Sequence, residues 1–107
     1  MADKAVASVL PELRHGLQCL LGERLAGVYL YGSRARGEAH PDSDIDILVV
    51  VRGEPDYGAL IDATSEMVAR LSLQHDVVIS RAFVSSERFA REQSPFLMNV
   101  RREAVPV

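Results

Sequence analysis

Asp44 and Asp46 stand at the head of an apolar run, DIDILVVV, that ends at Val51. Ionised carboxylates are costly to place beside a core unless something binds them. In a strand, residues i and i+2 share a face. Asp44 and Asp46 would therefore point together, with Cα atoms about 6.6 Å apart over two strand rises. Ile45, Ile47, Val49 and Val51 would point the other way, into the core. Carboxylates so spaced can hold a pair of Mg²⁺ ions roughly 4 Å apart, the geometry of two-metal phosphoryl chemistry. A carboxylate from a neighbouring strand would complete the set, and Asp76 is the one available. Upstream, Gly32 lets the backbone approach closely, while Ser33 can open a short helix and offer amide and hydroxyl donors to a phosphate. Phosphates on one side and metals on the other describe a nucleoside triphosphate site.

Other chemistries fit less well. Asp42-Ser43-Asp44 has the composition of a turn, but a turn does not explain Asp46, which lies inside the strand. The Gly32-Ser33-Arg34 stretch lacks the Gly-Lys-Ser/Thr ending of a Walker loop. The acidic spacing lacks the later glutamate of a calcium loop. His15, His40 and His75 are scattered, which argues against a zinc site, and no Ser/His/Asp order suits a hydrolase.

The elements that must position these residues alternate. Val6, Val9, Leu10, Leu13, Leu17, Leu20 and Leu21 recur at helical spacing, with the most secure part from Pro11 to Leu21, because proline suits a first turn. Residues 26–31 read as a strand, residues 44–51 as the clearest strand, residues 56–73 as a second long helix and residues 76–80 as a third strand. Ser86 can cap a short helix, and Ser94-Pro95 can start a last one reaching Glu103. The order strand, helix, strand from residue 44 predicts a right-handed parallel crossover. The segment from Tyr31 to Asp44 is too short for such a crossover, so the first two strands should be antiparallel, with one helical turn near Ala35–Glu38. Gly32-Ser33, Asp44/Asp46 and Asp76 would then meet at one edge of the sheet.

With 107 residues the chain fits one domain, 1–107, and a modest core for which a partner or ligand matters. A net charge of -3 argues against a protein that coats nucleic-acid backbone. No stretch is long and apolar enough to span a membrane, and the N-terminal residues do not read as a signal peptide. The lone Cys19 fits a reducing, cytoplasmic setting and is expected to be a small buried residue on a helix.

Gly-Ser, ten residues, then Asp-x-Asp resembles the defining motif of the DNA polymerase beta-type nucleotidyltransferases, with Gly32, Ser33, Asp44 and Asp46 matching. The string GSRARGEAHPDSDIDILVV is similar to the minimal nucleotidyltransferases, the MNT family. HDVVIS at 75–80 and PFLMNVRREAV at 95–105 agree with its third acidic strand and closing helix. The resemblance implies an α/β (α+β) fold, a small mixed sheet of three or more strands flanked by helices. It implies that Asp44, Asp46 and Asp76 bind two Mg²⁺ ions, and that Asp76 helps deprotonate an incoming hydroxyl. Gly32 and Ser33 would seat the β- and γ-phosphates of ATP. Arg34 and Arg36 would steady phosphates, or else lie in solvent or touch a partner. The family is typically encoded beside a small HEPN-domain helical protein, and members act as its antitoxin, some by transferring AMP to a partner tyrosine. The resemblance thus implies a hetero-oligomeric, AMP-transferring antitoxin. The alternatives are an antitoxin that neutralises by binding alone, and transfer to a small-molecule hydroxyl as in the aminoglycoside nucleotidyltransferases.

Overall fold

The computed structural model describes residues 4–32, 34–37 and 44–107. The element order is α1 (Lys4–Leu21), a 3-10 turn (Gly22–Arg24), β1 (Leu25–Tyr31), β2 (Ile45–Val51), α2 (Tyr57–His75), β3 (Ile79–Ser85), α3 (Ser86–Arg91), α4 (Pro95–Glu103) and β4 (Val105–Pro106). The strands form one mixed sheet in the order β3-β2-β1-β4. β1 runs antiparallel to β2, and β2 runs parallel to β3 across the α2 crossover, as the connection lengths predict. β4 adds two residues antiparallel to β1; a strand so short carries no periodicity that a sequence could display.

β2 is central and buried on both faces, which is why its sequence is nearly continuous in apolar residues. On one face Ile45, Ile47 and Val49 join Val9, Leu13 and Leu17 of α1 and Leu60, Val68 and Leu71 of α2. On the other, Leu48 and Val50 meet Val84 of β3 and Leu97 and Val100 of α4. Leu97 and Val100 are therefore spent on the core, while Phe96 and Met98 of the same helix stay about half exposed. No helix among the described residues is long and apolar enough to cross a membrane.

Two local expectations need correction, while α1 runs over the span where the apolar spacing recurs and continues through Pro11. Pro11 is exposed and its missing N–H lies on the solvent side, while buried Val9 and Leu13 pack on either side of it. Cys19 is exposed rather than buried, 3.6 Å from His15 Nε2 one turn earlier. The third strand begins at Ile79, not Asp76. α2 runs on to His75, and Asp76 closes it in the left-handed region at φ 53, where Asp is better tolerated than most residues. The N–H groups of Asp76 and Val77 both donate to the Ser72 carbonyl.

Candidate active site

The candidate site lies where β1 ends and β2 begins. The antiparallel register sets Tyr31 opposite Asp46. Their side chains lie on the face of Leu48 and Val50, since Ile45 and Ile47 face α1 and α2. Asp44 sits just ahead of β2 and is exposed, whereas Asp46 is partly buried. Partial burial, reinforced by the neighbouring Asp44, pushes the Asp46 carboxyl above its ordinary value. Both causes disfavour the ionised form, and a bound cation would relieve both.

Gly32 follows Tyr31 with φ +77. A Cβ at this position would collide with Asp46 Oδ2 and lie 3.3 Å from its Cγ. The glycine therefore serves two needs, a left-handed backbone and space for the carboxylate. From it the chain makes one helical turn: the Ala35 and Arg36 N–H groups donate to the Gly32 carbonyl at 3.1 and 3.3 Å, and Gly37 N–H to the Arg34 carbonyl at 3.4 Å. This is the turn expected near Ala35, although Glu38 lies outside the described residues. So do Ser33, His40 and Asp42. Arg36 Nη1 reaches Glu103 Oε2 of α4 at 3.2 Å. Tyr31 meets Phe96 of α4 edge to face, with centroids 5.5 Å apart. Burial and the nearby Asp46 push the Tyr31 hydroxyl above its ordinary pKa, with a smaller contribution from Tyr57.

Asp76 is not brought to this pair. Among the described residues no three carboxylate, histidine or cysteine side chains gather closely enough to hold a metal ion. In the parallel register the residue beside Asp46 is Ser80, and the residue beside Ile45 is Ile79. The Ile45 N–H donates to the Val78 carbonyl at 2.8 Å, which leaves Asp76 two residues further out, on the helix cap. His75 is occupied elsewhere, its Nε2 lying 2.8 Å from Glu12 Oε2.

Tyr31, Ser80 and Glu103 are neighbours of the site that motif reading passes over. Tyr31 was legible from strand parity with Gly32 and Asp46. Ser80 depends on where β3 starts, and Glu103 lies 67 residues from Arg36 with no local signal linking them.

The nucleotidyltransferase domain family matches residues 10–101. Protein adenylyltransferase MntA of Thermococcus cleftensis is 35% identical over 80 residues, covering 75% of this chain and 79% of the relative. A solved minimal nucleotidyltransferase superposes with a TM-score of 0.58 at 24% identity, covering 95% of both chains. A solved toxin-antitoxin structure with AMP-PNP has a TM-score of 0.63 at 21% identity, covering 92% of this chain and 69% of that one. These two structural likenesses speak for the fold, and the family match spans most of the chain. The chain belongs to the nucleotidyltransferase domain family.

Proposed function

We propose that this enzyme transfers AMP from ATP to a tyrosine hydroxyl of a HEPN-type helical partner and acts as its antitoxin. The observation that carries this reading is the meeting of Asp44, Asp46 and the Gly32 turn at one end of β2 in a chain related to protein adenylyltransferases. Asp44 and Asp46 are the residues to hold Mg²⁺. The donor set suits that ion, which is commonly bound by one or two carboxylates together with substrate phosphates. When bound, the ion supplies positive charge to the triphosphate.

The other roles fall to the chain's own residues. Gly32 and Ser33 are the residues to seat the terminal phosphates. Arg34 and Arg36 add positive charge beside the same phosphates. The partner's tyrosine oxygen forms a bond to the α-phosphorus as the bond from that phosphorus to the α–β bridging oxygen breaks. Pyrophosphate leaves with the electron pair, and the hydroxyl proton passes to solvent.

The test is incubation of the purified chain with α-labelled ATP, Mg²⁺ and the HEPN-type protein encoded beside it. The expected result is label on a partner tyrosine, lost on Asp46→Asn. Neutralisation of the partner without labelling would replace this reading with that of a binding antitoxin. Labelling of an aminoglycoside in place of the protein would move the substrate to small molecules.

A further inference from the structure

We infer that this site is built for one divalent ion, not two, because the strand position that would supply a third carboxylate is held by Ser80. The inference deepens the nucleotide-site reading and rests on it.

The argument is one of register. β3 pairs in parallel with β2, and Asp46 faces Ser80 across the ladder. Neighbouring strands lie about 4.8 Å apart, so a carboxylate at position 80 would stand beside that of Asp46. The face is fixed independently on both strands. Ile79 is buried with Ile45 and Ile47 against α1 and α2. The next side chain inward, Arg81, turns to the same face, where its Nε donates to Thr64 Oγ1 at 2.7 Å and its Nη2 to the Ile61 carbonyl at 3.0 Å. Ser80, between them, must point to the opposite face, that of Asp46, and it is exposed there.

Asp76 does not fill the vacant role. It precedes the ladder and caps α2 in the left-handed region. Among the described residues the site therefore has two acidic ligands, Asp44 just ahead of β2 and Asp46 on it, and a neutral hydroxyl on β3. Two carboxylates with a triphosphate suffice for one Mg²⁺. Among the described residues, a second ion next to the attacking oxygen would have the side of Asp46 and a serine hydroxyl. An aspartate at position 80 would place a third carboxylate where the ladder now has that hydroxyl.

The experiment counts ions rather than turnover. Mn²⁺ is titrated into the full chain by electron paramagnetic resonance in the presence of saturating α,β-methylene-ATP, whose AMP cannot be transferred. The expected stoichiometry is one tightly held Mn²⁺ per chain for the wild type and for Asp76→Asn, and two for Ser80→Asp. Two ions in the wild type, falling to one in Asp76→Asn, would overturn the inference and place Asp76 in the site. A Ser80→Asp chain that folds by circular dichroism yet still holds one ion would overturn the role given to position 80. Asp46→Asn separates the two levels of the argument. If it leaves nucleotide-dependent Mn²⁺ binding intact, the nucleotide-site reading itself fails, whatever the ion count.

Discussion

Gly32 and Asp46 are packed so closely that the carboxylate of one occupies the space where a side chain on the other would begin. The contact joins the last residue before the turn to the second residue of the central strand, so the turn and the acidic pair are positioned together. Gly32→Ala must both hold a left-handed backbone at φ +77 and displace Asp46. Such strained positions cost about 1–3 kcal/mol, and the same loss of stability is expected here in urea denaturation. Nucleotide binding should weaken by about tenfold or more, since Asp46 has to leave its place. An alanine variant with wild-type stability and wild-type nucleotide affinity would show that the contact does not matter.

Asp46 is held in its charged form against its surroundings. Its carboxyl is raised by partial burial and by Asp44, so the folded chain binds the proton more tightly than the unfolded chain does. That contribution favours folding below the carboxyl's unfolded value and is lost as pH rises through the higher folded value. In the absence of nucleotide and divalent ion, Asp46→Asn should therefore raise the melting temperature at neutral pH, by about 1–4 °C in a domain of this size. The gain should vanish at acidic pH, where the wild-type carboxyl is protonated. Adding Mg²⁺ and nucleotide should stabilise the wild type and not the variant. A variant less stable than wild type at neutral pH without ligand would contradict this account of Asp46.

Arg36 and Glu103 form an ion pair at 3.2 Å between the turn and α4. Both side chains are substantially exposed, so the pair contributes little to folding, about 0–1 kcal/mol at most. Its effect should appear in binding. A triphosphate and Glu103 compete for the same guanidinium under the role proposed for Arg36. Glu103→Gln should tighten ATP binding by about two- to fivefold at low salt, and Arg36→Gln should weaken it by a similar factor. The effect should shrink at about 1 M salt, where exposed charges are screened. Calorimetric titration of ATP-Mg²⁺ into the two variants decides it, and a Glu103→Gln chain with weaker ATP binding would reverse the assignment.

The strands that carry strong apolar patterns were legible in the sequence, and so were their directions. β2 announced itself through Ile45 to Val51, and the short path from Tyr31 to Asp44 required the antiparallel pairing seen with β1. The Gly32, Asp44 and Asp46 portion of the site was legible for the same reason: it depends on parity along one strand and on one turn. The start of β3 was not. HDVVIS reads equally well as a strand from Asp76 or as a helix end followed by a strand from Ile79, since apolar content alone does not separate a cap from an extended residue. The register of β3 against β2, which sets Ser80 beside Asp46, has no signature in either strand's own residues. Long-range pairs such as Arg36 with Glu103, and a two-residue edge such as β4, leave no local pattern at all.

Asp76 provides the sharpest contrast between an acidic ligand and a helix cap. As a cap it sits at φ 53, where an aspartate is tolerated and a glycine is at ease. Asp76→Gly should then leave the α2 ending intact, with the N–H groups of residues 76 and 77 still donating to the Ser72 carbonyl. Relief of the left-handed backbone at φ 53 and the freedom glycine adds to the unfolded chain, about 0.4–1 kcal/mol, act in opposite directions, so stability should change by less than about 1 kcal/mol. Transfer of labelled AMP should stay within about twofold of wild type, because no carboxylate is removed from beside Asp46. As a general base, by contrast, its loss would cost about a hundredfold or more in rate. Parallel measurement of melting temperature and AMP transfer for wild type, Asp76→Gly and Asp76→Asn distinguishes the two. A hundredfold loss of transfer in both variants, with stability unchanged, would mean that Asp76 leaves its cap to join Asp44 and Asp46 when substrate binds.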